Sequence, residues 1–183
     1  MGNDSFRSIR TMMEDGRNVI DAFKGMTEKA IVRKLDENGV DLEIAIENVE
    51  RDFSMGSIVR SANAFGVRRV HVIGKKQWNK RGAMATDKYL HVEHHPTMGE
   101  FMSLMGGKYV VAVDNLDGAQ DITKAELPMN TVLVFGSEAS GISRELSNSA
   151  DAVVEIRQRG STRSMNVGAA AAVAMYEWCR RNG

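Results

Sequence analysis

The rhythm of hydrophobic and polar positions changes at Val40. Before it, residues 5–26 ("SFRSIRTMMEDGRNVIDAFKGM") place Phe6, Ile9, Met12, Met13, Ile20 and Phe23 at mostly helical spacing, with Gly16 a candidate break. "TEKAIVRKLDENG" then opens on Thr27, a residue type that caps helix N-termini, and closes on Gly39. The pattern predicts a helical N-terminal extension over residues 1–39. From Val40 on, short apolar runs take over. "VDLEIAIENV" alternates and predicts a strand, and "RRVHVIG", "KYVVAVD", "TVLVFG" and "AVVEI" predict four more. The middle ones alternate little, as strands do when both faces are covered. Between them "SMGSIVRSANAFG" predicts a helix with Ser54 as a candidate cap and Gly66 as its stop. "HPTMGEFMSLMGG" and "ISRELSN" predict two shorter helices, and a closing helix is expected from about Ser164 to Arg180. Strands that alternate with helices imply an α/β domain over residues 40–183, with a mostly parallel sheet and helices on both faces.

Composition narrows the setting. At 183 residues, with 43% hydrophobic and 26% charged positions, the chain reads as an ordinary globular protein. A domain of this size buries roughly 70% of its unfolded surface and needs no covalent staples. The single cysteine, Cys179, excludes a disulfide framework and a cysteine-built zinc site. No signal peptide or membrane span is read in the sequence, and the cytoplasm is the expected compartment. Formal net charge is zero, so any affinity for nucleic acid must come from a local basic patch.

Candidate chemistry is spread over several segments. In "VLVFGSEASGIS" a buried strand runs into a loop with Gly136, Glu138 and Gly141. Ligands bind at the carboxyl ends of parallel strands, and glycine lets backbone approach a ligand. The loop matches neither a dinucleotide fingerprint nor a phosphate loop, and by spacing alone it is an ordinary strand-to-helix turn. Arg60, in "NVERDFSMGSIVRSANAFG", reads alone as a solvated helix arginine. Arg68, Arg69, Lys75, Lys76, Lys80 and Arg81 cluster around Trp78, a mixture that suits phosphate contacts and base stacking and equally suits a solvated loop. In "HVEHH", alternation puts His91, Glu93 and His95 on one strand face. These are equally plain as polar groups of an edge strand, and no metal is expected there.

Three segments change these readings when taken together. "NVERDFSMGSIVRSANAFGV", "VLVFGSEASGIS" and "STRSMNVGAAAAVAMYEW" resemble, in order and spacing, the three motifs of the SpoU/TrmH family of RNA ribose 2′-O-methyltransferases in the SPOUT superfamily, over roughly residues 40–180. The resemblance implies a C-terminal trefoil knot, a fold feature otherwise rare. It also implies S-adenosylmethionine as methyl donor, a tRNA or rRNA substrate, and a homodimer. Its implied catalytic residues are Arg60, Glu138, Ser164 and Asn166. Asp114, Gly136, Gly141, Ile156 and Met165 are implied around the cofactor. Arg68, Lys75, Lys76, Lys80, Arg81, Arg157, Arg159 and Arg163 are the expected RNA-binding set. By the same analogy, the Gly and Ala run from Gly168 permits tight threading of the last helix. Two positions depart from the family pattern. Ser54 replaces the usual asparagine six residues before Arg60, and Arg157 replaces a usual proline. A catalytically weak RNA-binding protein on the same fold is the second reading.

Overall fold

The computed structural model describes residues 15–48, 54–162 and 164–183. In chain order it contains α1 (Glu28–Glu37), β1 (Glu43–Asn48), α2 (Ser54–Ala64), β2 (Arg69–Gly74), β3 (His91–His95), α3 (Met98–Leu104) and β4 (Tyr109–Val113). There follow β5 (Gln120–Asp121), β6 (Thr131–Phe135), α4 (Arg144–Ser149), β7 (Ala152–Glu155) and α5 (Val167–Asn182).

The strands form one sheet in the order β3-β2-β1-β6-β4-β7-β5, and every pairing is parallel. β1 and β6 lie inside it and are buried along their whole length. This explains why β6 reads "TVLVF" with no polar alternation. Its side chains divide by the two-residue period of a strand. Leu133 and Phe135 join Ile58, Val59 and Ala62 of α2 and Ala171, Ala174, Met175 and Trp178 of α5 in one core. Val132 and Val134 join Phe101 of α3 and Leu146 of α4 in the other. Full burial of a side chain such as Ile58 contributes about 1.5–3 kcal/mol.

Local signals account for most helix ends. The Thr27 hydroxyl accepts from Ala30 N at the start of α1, and Gly66 takes the left-handed conformation after α2, with φ +77°. The helix expected over residues 5–26 is corrected where it can be seen. Residues 15–26 form only a short 3-10 turn, Asp21–Phe23. The Asp15 carboxylate accepts from Arg17 N and Gly25 N, a side-chain alternative to helical bonding. Residues 1–14 of that prediction lie outside the described residues. α1 itself packs on the domain: Ile31 is buried, and Asp36 pairs with Arg68.

The last helix begins at Val167 rather than Ser164. Asn166 is its cap, with Oδ1 accepting from Ala169 N at 3.2 Å. Its small residues have a direct cause. A Cβ built on Gly168 lies 3.2 Å from Ser57 Cβ and 3.7 Å from Ser54 Cβ, so α5 crosses α2 almost backbone to side-chain stub. At the other end Trp178 is fully buried, and its indole N–H donates to Pro128 O at 2.9 Å.

Candidate active site

Because all strands point the same way, their carboxyl ends share one edge of the sheet. A cavity of about 540 Å³ opens there. It is built from the chain after β4, after β6 and after β7 together with the start of α5. Asp114, Gly136, Gly141, Ile156 and Met165 all line it, and so do Glu138, Ser164 and Asn166. Eight residues singled out from sequence, across more than fifty positions, thus meet at one hollow.

The loop after β6 is held tightly. Ser137 and Gly141 exchange backbone hydrogen bonds of 3.1 and 3.0 Å, and the Ser137 and Ser140 hydroxyls bond at 2.7 Å. Two glycines are required here. A Cβ on Gly136 falls 2.0 Å from the Gly141 carbonyl carbon, and Gly141 itself has φ +66°. Asp114 secures the far side by accepting from Ile142 N at 2.9 Å, and its other oxygen accepts from Asn115 N at 2.7 Å. Asp114 therefore shapes the cavity wall through backbone contacts.

Three side chains from distant segments interlock at the edge of the cavity. The Ser54 hydroxyl donates to Glu138 Oε1. The Asn166 amide donates to the same Glu138 oxygen at 2.7 Å and to Ser54 Oγ at 2.9 Å. Ser54, on α2, is buried. The sequence reading treated it only as a helix cap and as a departure from the motif. Arg60 lies six residues further along α2, exposed and outside the cavity lining, and its side chain has no hydrogen bond or ion pair to another described residue.

The basic segment after β2 is anchored beside this site. Buried Asn48, at the end of β1, donates from its amide to Lys75 O and to Gln77 O, the latter at 3.0 Å. Asn48 was missed from sequence, where a strand-end asparagine carries no distinguishing signal. Further along, a Cβ on Gly56 falls 2.7 Å from the backbone nitrogens of both Gly82 and Ala83, so the loop rests directly on the first turns of α2. Lys75, Lys76 and Arg81 are exposed. Lys80 pairs with Asp87 at 2.8 Å and sits 5.4 Å from the Trp78 ring centre. Met84 and Ala85, just beyond, both have positive φ, a strained stretch next to the exposed cations.

Other expected RNA contacts part from this group. The Arg68 guanidinium is largely buried and committed to Asp36 and to Tyr89 O, so its role is to hold α1 and the chain before β3. Arg157 pairs with Asp121 at 3.6 Å, and with Arg159 it lines a second hollow of about 300 Å³ near Tyr176. Arg163 lies outside the described residues. His91 also turns away from its strand-mates, bonding Asp36 at 2.9 Å.

Comparison with known proteins decides the family. The model of the SpoU rRNA Methylase family matches residues 41–176. The chain belongs to this family. The tRNA (guanosine(18)-2′-O)-methyltransferase of Escherichia coli strain K12 is 29% identical over 142 residues, which is 75% of this chain and 62% of that protein. The chain thus spans less than two thirds of that relative's length. Among solved structures, the A. aeolicus TrmH/SpoU tRNA modifying enzyme superposes with a TM-score of 0.73 at 25% identity, covering 85% of this chain and 84% of that one. The SpoU methyltransferase AviRb from Streptomyces viridochromogenes, in complex with AdoMet, gives 0.68 at 25% identity, covering 77% and 60%. This SpoU-family chain has a wholly parallel sheet among its described strands, where a mostly parallel one was expected.

Proposed function

We propose that the protein transfers a methyl group from S-adenosylmethionine to a ribose 2′-hydroxyl of a structured RNA, either tRNA or rRNA. The observation that carries this reading is the Ser54–Glu138–Asn166 interlock at the mouth of a glycine-walled cavity. When bound there, S-adenosylmethionine supplies an electrophilic sulfonium methyl. Gly136 and Gly141 let backbone close on the donor, while Ile156 and Met165 supply apolar contact and Asp114 holds the wall. The cavity's size suits a nucleoside-sized ligand.

The chain's own groups then have separable tasks. Glu138 is held by Ser54 and Asn166. Ser164, at the cavity wall, is available to contact the ribose that receives the methyl group. Arg60, exposed and unpaired among the described residues, is available to orient the hydroxyl and stabilise the charge that develops on it. A guanidinium stays protonated in proteins, so a substrate phosphate or a water takes the proton. Lys75, Lys76, Lys80, Arg81, Arg157 and Arg159 form the RNA surface, with Arg163 completing it. Residues 1–39 act as an extension of the methyltransferase domain. The closing helix α5 passes through a loop of the C-terminal trefoil knot, and a second copy covers exposed Leu116, Met165, Val173 and Tyr176.

A second reading, RNA binding with weak catalysis, draws on Ser54 standing where the family carries asparagine. The Ser54 hydroxyl nevertheless reaches both Glu138 and Asn166, which favours the active enzyme. Transfer of labelled methyl from S-adenosylmethionine to tRNA and to rRNA tests the proposal. The label is expected in alkali-resistant dinucleotides, the mark of a blocked 2′-hydroxyl. RNA binding without label transfer establishes the second reading instead.

A further inference from the structure

Outside the cavity lining and on the α3 side of the sheet, a second group of polar side chains gathers at the sheet edge, its two histidines buried. The β2–β3 register sets Glu93 beside His71, and strand alternation brings His95 to the same face. One ligand atom from each of these three lies within 4.8 Å of the other two. The two imidazoles are 2% and 5% exposed, and Phe101 packs edge-on against both rings at 5.4 and 5.5 Å. We infer that His71, Glu93 and His95 bind one divalent transition-metal ion of zinc type, tying edge strand β3 to β2.

The hydrogen bonds prepare the donors. Glu43, on β1, is buried, and the Lys108 ammonium lies 2.7 Å from one of its carboxylate oxygens. Its other oxygen accepts a hydrogen bond from His71 Nε2 at 2.8 Å. With Nε2 engaged by that carboxylate, Nδ1 is the ring nitrogen left to hold an ion, and it faces His95 Nε2 at 2.8 Å. A carboxylate behind a histidine in this way is the arrangement that orients metal-bound imidazole.

Glu93 completes the set. Its Oε1 is held by Arg69 at 2.8 Å, and its Oε2 lies 3.9 Å from His71 Nδ1. Its side chain is half exposed, which gives the ion a way in from solvent. Without the ion, one proton bridges His71 Nδ1 and His95 Nε2. An ion that takes both nitrogens displaces that proton, to His95 Nδ1 or to solvent. The two nitrogens then separate to about 3.3 Å, as tetrahedral ligands at about 2.0–2.1 Å require. Two nitrogens and one carboxylate select zinc-like ions over magnesium or calcium.

Chelator-treated full-length protein, titrated with zinc sulfate by calorimetry and with cobalt chloride by visible absorption, tests the site. The expected result is one ion per chain with tetrahedral cobalt bands, and affinity reduced at least about tenfold by Glu93→Gln and by His95→Gln. Glu93 is at the surface, so its variant keeps the fold and settles the matter if the histidine variant does not. Failure of the wild type to take up one equivalent, or unchanged affinity in Glu93→Gln, overturns the site and leaves a plain hydrogen-bonded imidazole pair. Neither readout depends on methyl transfer.

Discussion

Ser54 and Glu138, 84 residues apart, are joined by one hydrogen bond from a buried hydroxyl to a carboxylate that also accepts from Asn166. Ser54→Ala removes the hydroxyl and leaves the Asn166 amide short of one acceptor. A loss of about 1–3 kcal/mol in unfolding free energy is expected. Methyl transfer at saturating donor should fall more than the donor's affinity does, because the cavity walls are built elsewhere. Denaturant titration and initial rates measure the two effects, and Ser54→Thr, which keeps the hydroxyl, should retain more activity than alanine.

Arg60 offers the contrasting case. It lines no part of the cavity, so Arg60→Ala should leave S-adenosylmethionine affinity within a few-fold of wild type. The rate should drop about a hundred- to a thousandfold, the usual cost of losing one donor to developing negative charge. Arg60→Lys should not rescue it, since an ammonium lacks the planar fork. Calorimetry with the donor and single-turnover methylation separate binding from chemistry.

Gly136→Ala should fail at the level of the loop. Its Cβ overlaps the Gly141 backbone, which cannot yield as a flexible side chain would. Overpacking of this kind costs about 1–3 kcal/mol or more. Donor binding is expected to be lost along with a lowered melting temperature, and calorimetry with differential scanning detects both.

RNA affinity should depend on the exposed cations near α2. Replacing Lys75, Lys76 and Arg81 with glutamine removes about three phosphate contacts, which reduces the slope of log affinity against log salt by about two to three. Lys80→Gln should matter less, because Lys80 is already paired with Asp87. Filter binding across a salt series measures the slopes.

Glu177 makes stability depend on acid. Hydrogen bonds from Arg180, and further bonds from Arg181, hold its carboxyl down to about 2. A depressed folded-state value means that the stabilisation is fully present above the unfolded value of about 4.3 and is lost as pH falls toward 2. The melting temperature should drop across that window, and Glu177→Gln should flatten the drop. Arg181 also donates to Ile122 O and Ala125 O, so the effect should reach the chain after β5.

Some of this was legible in the sequence and some was not. Thr27, Gly66 and the apolar strand runs act through neighbours in the chain, so local pattern revealed them. The family resemblance named eight of the residues that line the cavity, including Gly136, whose need for glycine became physical only once Gly141 was seen against it. Asn48 and Ser54 are different. Their importance lies in partners 27 to 112 positions away, and nothing in a polar residue's own neighbourhood reports such a partner. Arg68 looked like part of a basic cluster because charge was counted along the chain, while its guanidinium is committed to Asp36, which the fold brings from α1. His71 went unnoticed beside His91, Glu93 and His95, because parity within one strand says nothing about the neighbouring strand. β5 has two residues, too few to carry a period.

The placement of the two tryptophans has a practical consequence. Trp178 is sealed in the core under α5, and Trp78 stands half-buried among the exposed cations. Their emission therefore divides into two channels in one unlabelled chain. A blue, quencher-resistant component reports docking of the closing helix. A redder component, open to iodide, reports whatever settles on the basic loop. Denaturation moves the first, and a nucleic acid that stacks on Trp78 dims the second while leaving the first unchanged.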